Sequence, residues 1–554
     1  MRQIIECVPN FSEGRDMAVI RHITDAIASV EGITLLDVDP GKATNRTVVT
    51  FVGDADSVVE AAFLGIQKAA EVIDMRKHSG EHPRMGATDV CPFVPVANAT
   101  MEECIACARK LGERVGRELQ IPVYLYESAA TKPARKNLAT IRAGEYEGIE
   151  KKLRDPEWHP DFGPAVFNAQ SGNCIIGARD FLVAFNVNLN TTSVRRANSI
   201  AFDVRENGRV DPSGVKDESG EVLRIPGMCK SVKAIGWYIQ EYGIAQVSMN
   251  LTNIRVTPVH TAFDACVASA SNRGMRVTGS ELVGLIPLEC LLDAGRYFLE
   301  KQQRSTGVSE EELIHIAVKS MGLDDLAPFK PEDKIIEYKL GKRIGKLVGM
   351  NLRAFANETA SESPAPGGGS IAAYCGVLGV SLATMVANLS SHKKGWDARW
   401  KEFSALATEG QRLKDQLLYL VDEDTAAFNR IMEAFGLPKG NPEEKAMRKK
   451  AIQEATVYAM DVPFRVMQLS FASMALIKAM AETGNPNSVS DAGVGAVCAR
   501  SAVLGAFLNV QINASGLDDK SLAAEKIAAG QHIADAAQKM EQEILQIVAA
   551  KIGA

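Results

Sequence analysis

The chain changes character at two prolines. Pro328 and Pro331 lie three residues apart in the segment Ala327-Pro328-Phe329-Lys330-Pro331, and this spacing rules out a continuous helix there. Before this segment, apolar residues alternate between the strand period and the helix period. Beyond about Lys339, long stretches rich in Ala, Leu, Lys and Glu keep the helical period to the end. Because 554 residues are too many for one core, we predict two different architectures, one on each side of the break.

The N-terminal part repeats one order of elements. Strand, helix, strand, strand, helix and strand are predicted between residues 3 and 96, and the same order returns between residues 181 and 286. This order is typical of a split βαβ unit. We therefore predict an α/β part with two ferredoxin-like split βαβ subdomains, followed by an all-α helical domain. The predicted bounds are 1–180 and 181–325 for the subdomains, 326–340 for a linker and 341–554 for the helical domain.

Composition limits the class of partner. The net charge is −6, which gives no general electrostatic attraction to nucleic acid or to an anionic membrane. The ten cysteines lack paired metal-ligand spacings and fit a reducing compartment. The first ten residues lack the continuous apolar stretch of a secretory signal. We expect a cytoplasmic protein whose partners are small molecules.

One apolar segment has nearly the length of a membrane span. Ile371 to Leu389 has nineteen residues without a charge, and we expect no second comparable span. Ala, Gly, Ser, Asn and Thr are as common in it as Leu and Val, and helices of such small residues pack closely against other helices. The prediction is a buried core helix and no membrane span.

The densest group of reactive side chains is Lys77 to Asp89, which carries two of the eight histidines. Proline pushes its predecessor out of the helical region, so His82 before Pro83 is predicted in a loop. An imidazole with an ordinary pKa of about 6.5 makes His82 a candidate general base. His78 and His82 have the spacing of two metal ligands on a helix, but Gly80 and Pro83 oppose a helix, and no metal is predicted. An inert surface loop is the remaining alternative.

Four motifs carry a resemblance to known families. Residues 6 to 14, Glu-Cys-Val-Pro-Asn-Phe-Ser-Glu-Gly, and residues 80 to 86, Gly-Glu-His-Pro-Arg-Met-Gly, resemble the formiminotransferase family. Residues 366 to 370, Pro-Gly-Gly-Gly-Ser, and residues 421 to 428, Val-Asp-Glu-Asp-Thr-Ala-Ala-Phe, resemble the cyclodeaminase family. The order of the motifs and the length of the chain are similar to those of the bifunctional formiminotransferase-cyclodeaminase family.

The resemblance implies a folate enzyme of histidine degradation. It implies transfer of the formimino group from N-formimino-L-glutamate to tetrahydrofolate, with release of glutamate. It then implies cyclisation of 5-formiminotetrahydrofolate to 5,10-methenyltetrahydrofolate, with release of ammonia. The co-substrate is expected to be tetrahydrofolate in a polyglutamylated form, and the family implies a homo-oligomer, an octamer.

Candidate residues for the transfer follow from these motifs. His82 is the predicted base. Asp37 and Asp39 close a predicted strand, and we favour Asp39 as the carboxylate that orients the imidazole. Arg84 is predicted to pair with a carboxylate of glutamate or folate, with a surface salt bridge as the alternative. Asn10 is a further predicted substrate contact. The resemblance implies folate contacts along Gly163, Pro164, Ala165, Val166, Phe167, Asn168, Ala169, Gln170, Ser171 and Gly172.

In the helical part, ring closure requires an acid because ammonia leaves only when protonated. Asp424 shares a helix face with Phe428, so we predict that it points inward, where burial would raise its pKa. A solvated helix face is the expectation for Glu423, and the alternative for all of Asp422, Glu423 and Asp424 is ordinary surface charge.

Two further segments are candidate ligand sites. Gly368, Gly369 and Ser370 precede a helix whose N-terminus would favour an anionic carboxylate, and the alternative is a tight turn that permits close packing. Asn485 and Asp491 are predicted to bind the pterin amide edge. The alternative for them is helix capping, with Ser490 or Asp491 as the N-cap residue.

Other functions stay open for the chain. The helical domain resembles a methenyltetrahydrofolate cyclohydrolase in its glycine-rich turn, and a scaffold with silent sites is a second alternative. Basic residues follow the predicted linker at Lys339, Lys342, Arg343 and Lys346. They are interpreted either as a strip that holds a polyglutamate tail during channelling or as a solvated helix face.

Overall fold

The computed structural model describes residues 3–42, 44–80, 83–216, 220–341 and 345–553. It divides into two compact units. Unit 1 comprises Met1–Cys290 and Val318–Lys342, and unit 2 comprises Leu291–Ala317 and Arg343–Ala554. Unit 1 is α/β and unit 2 is mostly helical, so the coarse fold prediction is confirmed.

The first sheet of unit 1 has seven strands within the described residues. They are β1 (Ile4–Cys7), β2 (Asn10–Phe11), β3 (Thr34–Gly41), β4 (Arg46–Gly53), β5 (Thr88–Ala97), β6 (Val123–Glu127) and β7 (Cys174–Ala178). The order is β1-β4-β2-β5-β7-β6, with β3 beside β4. Three helices, α1 (Met17–Ala28), α2 (Ala55–Val72) and α3 (Met101–Glu118), bury their apolar faces with Val49 and Phe51 in one core.

The opposite face of this sheet is covered from both sides. Tyr124 and Tyr126 pack with residues of α4 (Leu138–Arg142) and α5 (Glu145–Leu153). At the other side, Leu36 and Val52 contact Ile336. Ile336 begins the second of two short helices, α10 (Pro331–Lys334) and α11 (Ile336–Lys339), in the segment predicted as a linker. The strands between these covers carry the polar residues of the first candidate site.

The second sheet of unit 1 has four antiparallel strands in the order β11-β12-β8-β13. In chain order, the strands and helices of this part of unit 1 are β8 (Val183–Leu189), α6 (Val194–Val204), β9 (Arg209–Val210), β10 (Arg224–Ile225), β11 (Val232–Ile239), β12 (Ile244–Leu251), α7 (Val259–Ser271) and β13 (Val277–Val283). The last strand was predicted at Leu282–Ile286 and lies earlier. Gly284, with a φ of +74°, ends the pairing, and Ile286 instead forms a bridge to Ile335.

Unit 2 is built from long helices with the bounds α12 (Leu352–Thr359), α13 (Gly368–Ser391), α14 (Trp400–Gly436), α15 (Pro442–Thr483), α16 (Val489–Ser515) and α17 (Lys520–Ile552). Two more helices, α8 (Leu288–Lys301) and α9 (Glu310–Met321), cross the division between the units. The small residues of α13 permit close packing, since a Cβ on Gly379 would lie 2.8 Å from the carbonyl oxygen of Gly495 on α16.

Two helices are long and apolar enough to cross a membrane by length and composition, Gly368–Ser391 and Pro486–Ser515. The most apolar windows are 61% and 50% buried in the protein, and buried core helices commonly meet the same criterion. The expectation that the chain has no second apolar segment of comparable length was wrong. Asp491 and Arg500 are the charged residues of the second helix, too few to distinguish it from the first.

Candidate active sites

The register of the first sheet brings two predicted residues into one row. Asp39 of β3 and Asn10 of β2 both lie directly opposite Val48 of β4. Residues directly opposite in a sheet project to the same face. Asp39 and Asn10 therefore line the face away from α1, α2 and α3, where Asn10 is buried and Asp39 is exposed.

A chain of polar contacts continues from Asn10. Its Oδ1 accepts hydrogen bonds from Nε and Nη2 of Arg46, at 2.9 and 2.6 Å. Arg46 Nη1 lies 3.1 Å from Oδ2 of Asp89, which is fully buried, and Arg142 Nη2 donates to the same oxygen. Burial lowers the pKa of Arg46 to about 10. The nearby charge of Arg142 also lowers this pKa, whereas the charge of Asp89 raises it. Arg46 thus stays charged at neutral pH beside a second guanidinium.

The sequence did not identify Arg46, Asp89 and Arg142 as site residues. Asp89 is the last residue of the dense polar stretch and was a detectable signal. Arg142 lies 53 residues beyond Asp89, outside every recognised motif, and only the folded chain brings the two together.

Asp37 and Asp39 were predicted to close a strand, but β3 continues to Gly41 and both residues lie within it. Asp37 is paired with a lysine. Lys339 Nζ lies 3.8 Å from Oδ1 of Asp37. Loss of solvent around the carboxyl raises the pKa of Asp39 and nearby Asp37 adds to the rise, whereas Lys334 opposes it. This arrangement favours Asp39 as the carboxylate available to an imidazole.

The backbone that follows the predicted catalytic loop is hydrogen-bonded to the predicted folate segment. His82, like Glu81, lies outside the described residues. Farther along the chain from His82, Gly86 forms a bridge with Gly172, and Ala87 N donates to the carbonyl of Ser171 at 2.8 Å. Ser12 Oγ donates to the carbonyl of Gly86 at 2.7 Å. These bonds fix the chain beyond His82 between the first motif and the end of the folate segment.

Two glycines of the folate segment have a structural reason. Gly163 and Gly172 have φ values of +81° and +66°. A Cβ there would lie 2.5 Å from the carbonyl oxygen of Ile121 and 2.2 Å from that of Met85. Their close backbone contacts require glycine with or without a ligand.

The residues between these glycines have distinct surroundings. Pro164 and Ala165 lead to Val166, which is 67% exposed. Phe167 packs against Tyr146 with ring centroids 5.5 Å apart, and the Tyr146 hydroxyl donates to the carbonyl of Ala169.

The end of the segment is held by hydrogen bonds of its own. Asn168 Oδ1 accepts from the N–H of Ser171 at 3.0 Å, and Gln170 Nε2 donates to the carbonyl of Ala70 at 3.0 Å. Because its neighbours are held by these contacts, the exposed side chain of Val166 is the most accessible apolar surface that this segment offers to a pterin ring.

Arg84 is engaged by the protein's own carboxylates. Its Nη2 donates to Glu147 at 2.7 Å and its Nη1 to Glu145 at 3.0 Å, while Nε lies 3.3 Å from Nδ1 of His78. The hydrogen bonds that Arg84 donates to Glu147 raise the pKa of Arg84. The structure thus contains the salt bridge that was the alternative for Arg84, and a substrate carboxylate would have to displace these partners.

His78 is held within the fold. Its Nε2 lies 2.8 Å from the carbonyl oxygen of Asn45, and burial lowers its pKa. In the part of the chain that the structure describes, no group of three or more His, Cys, Asp or Glu side chains is arranged to hold a metal ion.

The second candidate site centres on Asp424 of α14. Ser370 Oγ, in the first turn of α13, donates to Oδ2 of Asp424 at 3.2 Å. Burial raises the pKa of Asp424, and the hydrogen bonds from Ser370 lower it by a smaller amount. The predicted direction of the pKa shift is confirmed. Its cause is packing against α13, since Phe428 is 41% exposed.

The glycine turn contacts this same carboxylate. A Cβ on Gly369 would lie 2.1 Å from Oδ1 of Asp424, so only glycine permits the contact. Gly368 is exposed, and its nearest such neighbour is Nδ2 of Asn509 at 3.5 Å. The anion at this helix N-terminus is therefore the protein's own Asp424, which agrees with the close-packing alternative.

The neighbours of Asp424 are held in other ways. Asp422 accepts backbone N–H groups from Leu347 and Val348, at 2.8 and 3.1 Å. The solvated face expected for Glu423 was wrong, because its side chain is 12% exposed. The Glu423 carboxylate accepts hydrogen bonds from the hydroxyl of Tyr419, at 2.7 Å, and from the hydroxyl of Tyr458 on α15. It also forms an ion pair with Arg430. Each carboxylate of the triplet has its own partners.

Asn485 and Asp491 have roles at the start of a helix. Asn485 Oδ1 accepts from the N–H of Asn487 at 3.3 Å, as the capping alternative predicts. Helix α16 begins at Val489 with Ser488 as the N-cap residue, so the expectation of a cap at Ser490 or Asp491 was wrong. Asp491 lies in the first turn, where a negative charge is favourable.

Comparisons with known proteins cover both units. Residues 4–179 match the family described as "Formiminotransferase domain, N-terminal subdomain", residues 184–341 match "Formiminotransferase domain", and residues 351–531 match "Formiminotransferase-cyclodeaminase".

Three relatives illustrate the similarity. The formimidoyltransferase-cyclodeaminase of Rattus norvegicus is 43% identical over 94% of this chain and 94% of the relative. The glutamate formimidoyltransferase of Thermoplasma acidophilum is 46% identical over 54% of this chain and 92% of the relative. The methenyltetrahydrofolate cyclohydrolase of Methylorubrum extorquens is 35% identical over 36% of this chain and 97% of the relative.

The family matches extend through both structural units in the order of the four motifs, and the rat relative is similar along almost its whole length. The chain therefore belongs to the formiminotransferase-cyclodeaminase family.

Proposed function

We propose that the protein is a bifunctional folate enzyme of histidine degradation. It transfers the formimino group from N-formimino-L-glutamate to N5 of tetrahydrofolate, and it then cyclises the product to 5,10-methenyltetrahydrofolate with release of ammonia. The observation that carries the proposal is full-length similarity to a formimidoyltransferase-cyclodeaminase, together with two separate candidate sites in two compact units.

The transfer needs a group that accepts and returns a proton. N5 loses a proton as it attacks the formimino carbon, and the departing glutamate nitrogen gains one. His82 serves as this acid and base, and Asp39 orients its ring. The position of Asp39 in the row with Asn10, and the pairing of Lys339 with Asp37, support this assignment.

Ring closure needs an acid. N10 attacks the formimino carbon and its proton passes to the formimino nitrogen. That nitrogen takes up one further proton, its bond to the carbon breaks, and ammonia leaves. Asp424 donates this proton. The raised pKa of the half-buried Asp424 supports the role, because a carboxyl must hold its proton near the working pH to act as a general acid.

Ser370→Ala is expected to move the pH dependence of ring closure. The hydrogen bonds from Ser370 lower the pKa of Asp424, so loss of the hydroxyl raises this pKa further. The protonated acid then persists to higher pH, and the alkaline limb of the kcat profile shifts upward. The measurement is kcat against pH with supplied 5-formiminotetrahydrofolate.

Ser381→Ala is the matched control for this variant. Ser381 lies on the same helix, and its hydroxyl donates to the carbonyl of Val377. Its profile is expected to coincide with that of the unmodified protein. Coincidence of the Ser370→Ala profile with both would show that Ser370 does not tune the acid.

The cyclohydrolase alternative has a relative of its own in the helical part. Ammonia release separates the two reactions, because hydrolysis of methenyltetrahydrofolate yields none. An assay of methenyl product and ammonia, with and without formiminoglutamate, tests the proposal. Absence of both products would favour the scaffold alternative, although the specific environment of Asp424 argues for an active site.

We further propose that the folate is polyglutamylated and that the basic residues at 339–346 hold its tail during channelling. Lys346 is exposed, whereas Lys339 pairs with Asp37. Lys342 and Arg343 lie outside the described residues. Charge attraction to several tail carboxylates would raise the local concentration of the intermediate.

Changing Lys342, Arg343 and Lys346 to Glu is expected to release the intermediate into solution with polyglutamylated folate. With monoglutamate the change should have little effect, because there is little tail charge to hold. The measurement is trapping of free 5-formiminotetrahydrofolate. Equal escape for both tail lengths, before and after the change, would leave these residues without a channelling role.

Exposed apolar residues support a homo-oligomer, and we propose the octamer of the family. On α13 they are Leu378, Met385 and Leu389, and on α16 they are Val494, Val497, Leu504, Leu508 and Ile512. Apolar stripes of this kind usually become buried against another protein surface. Sedimentation of the purified protein as a monomer would contradict this proposal.

The remaining proposals concern location and subdomain fold. A cytoplasmic location is supported by ten free cysteines and is tested by cell fractionation. Two ferredoxin-like subdomains are supported by the element order and antiparallel strand order of the second sheet.

A further inference from the structure

Arg142 is a second arginine close to the first candidate site, and part of its hydrogen-bonding capacity is unused among the described residues. It ends α4, and its Nη2 donates to Oδ2 of Asp89. That oxygen is shared with Arg46, while Oδ1 of Asp89 accepts from the N–H of Met85 at 3.0 Å. Within the described residues, Nε of Arg142 is buried and has no hydrogen-bond partner.

A guanidinium carries five N–H donors and binds a carboxylate best through two parallel hydrogen bonds. Arg142 lacks such a two-pronged partner among the described residues, because Asp89 Oδ2 also serves Arg46. Its side chain is 15% exposed, so part of it is accessible. These features fit a group prepared to bind a further carboxylate.

Arg84 provides the contrast. Its guanidinium pairs with both Glu145 and Glu147, at 3.0 and 2.7 Å. Two carboxylates thus serve Arg84, whereas Arg142 shares the carboxylate of Asp89 with Arg46. The excess of acceptor groups around Arg84 makes it the weaker candidate for an additional anion.

We propose that Arg142, rather than Arg84, binds one carboxylate of the formiminoglutamate substrate. The proposal rests on the proposed transferase function. Formiminoglutamate carries an α- and a γ-carboxylate, and Arg142 connects through Asp89 and Arg46 to Asn10, which shares a sheet row with Asp39. A carboxylate bound at Arg142 positions the glutamyl part of the substrate beside the face that carries Asp39.

The test compares formiminoglutamate with two analogues. N-formiminoglutamine lacks the γ charge, and N-formimino-4-aminobutyrate lacks the α-carboxylate. The unmodified protein should prefer formiminoglutamate over one of them by roughly 10- to 100-fold in kcat/KM, the range for loss of a charge-assisted hydrogen bond. Arg142→Gln should remove that preference, and Arg142→Lys should retain part of it.

The ratio of kcat/KM values does not depend on the fraction of folded protein, so partial misfolding leaves the test valid. Arg84→Gln is the comparison and should retain the preference. A preference unchanged in Arg142→Gln, or one lost in Arg84→Gln instead, would overturn the proposal. Absence of transfer in the unmodified protein would instead refute the proposed function.

Discussion

Replacing His82 with Ala is expected to abolish formimino transfer, with a loss of about 100- to 10,000-fold, the usual range for general acid-base catalysis. Ring closure of supplied 5-formiminotetrahydrofolate should stay nearly unchanged, because Asp424 lies in a separately compact unit. The measurement is glutamate release from formiminoglutamate beside ammonia release from the supplied intermediate. Loss of both activities with the fold preserved would contradict the assignment of two sites.

The pH dependence provides a second check on His82. A base acts in its unprotonated form, so the transferase rate should rise as pH increases through a pKa near neutrality. The measurement is the rate from pH 5 to 8 under conditions in which chemistry is limiting. A flat profile in this interval would assign the proton transfer to another group.

Asp424→Asn is expected to have the converse effect. The amide keeps the shape of the side chain but removes the proton donor, so ring closure should fall by about 100-fold or more. 5-Formiminotetrahydrofolate should accumulate while glutamate is still released. The measurement is the ratio of ammonia to glutamate during turnover.

Full ring-closure activity in Asp424→Asn would exclude Asp424 and move the role to Asp422 or Asp491. Asp422 is the harder assignment to reconcile with the structure, because both of its oxygens accept backbone N–H groups from Leu347 and Val348. Asp422→Asn is thus a useful companion variant. It tests whether anchoring of that segment, rather than acid catalysis, accounts for any loss.

The helical unit was the more predictable part of the fold. Long helices were predicted beyond about Lys339, and the structure contains them, for example at Trp400–Gly436 and Pro442–Thr483. The sustained period identified them, because each helix buries one continuous face. The ends of these helices depend on capping residues such as Asn441, whose side chain accepts a hydrogen bond from the N–H of Glu444. The periodicity of apolar residues gives little information about such caps.

In the first sheet, short strands were the elements that the sequence pattern did not predict. β7, Cys174–Ala178, was not predicted, although it pairs in parallel with both β5 and β6. Its sequence Cys-Ile-Ile-Gly-Ala is buried on both faces and therefore shows no alternation. β2 has two residues, too few for any period.

The candidate site was predictable where its residues share a motif. Asp39, Asn10 and Asp424 were identified from local pattern and family resemblance, and the structure gives each a distinct environment. Arg142 and the partners of Arg84 arise from contacts across 53 and 63 residues, which no local pattern reports.

The most direct test of two reactions on one chain is the stoichiometry of a single turnover reaction. Purified protein is given formiminoglutamate and tetrahydrofolate, and glutamate, ammonia and 5,10-methenyltetrahydrofolate are measured together. We expect equal amounts of all three products. Glutamate without ammonia and methenyltetrahydrofolate would contradict this expectation, because the helical unit would then lack cyclodeaminase activity.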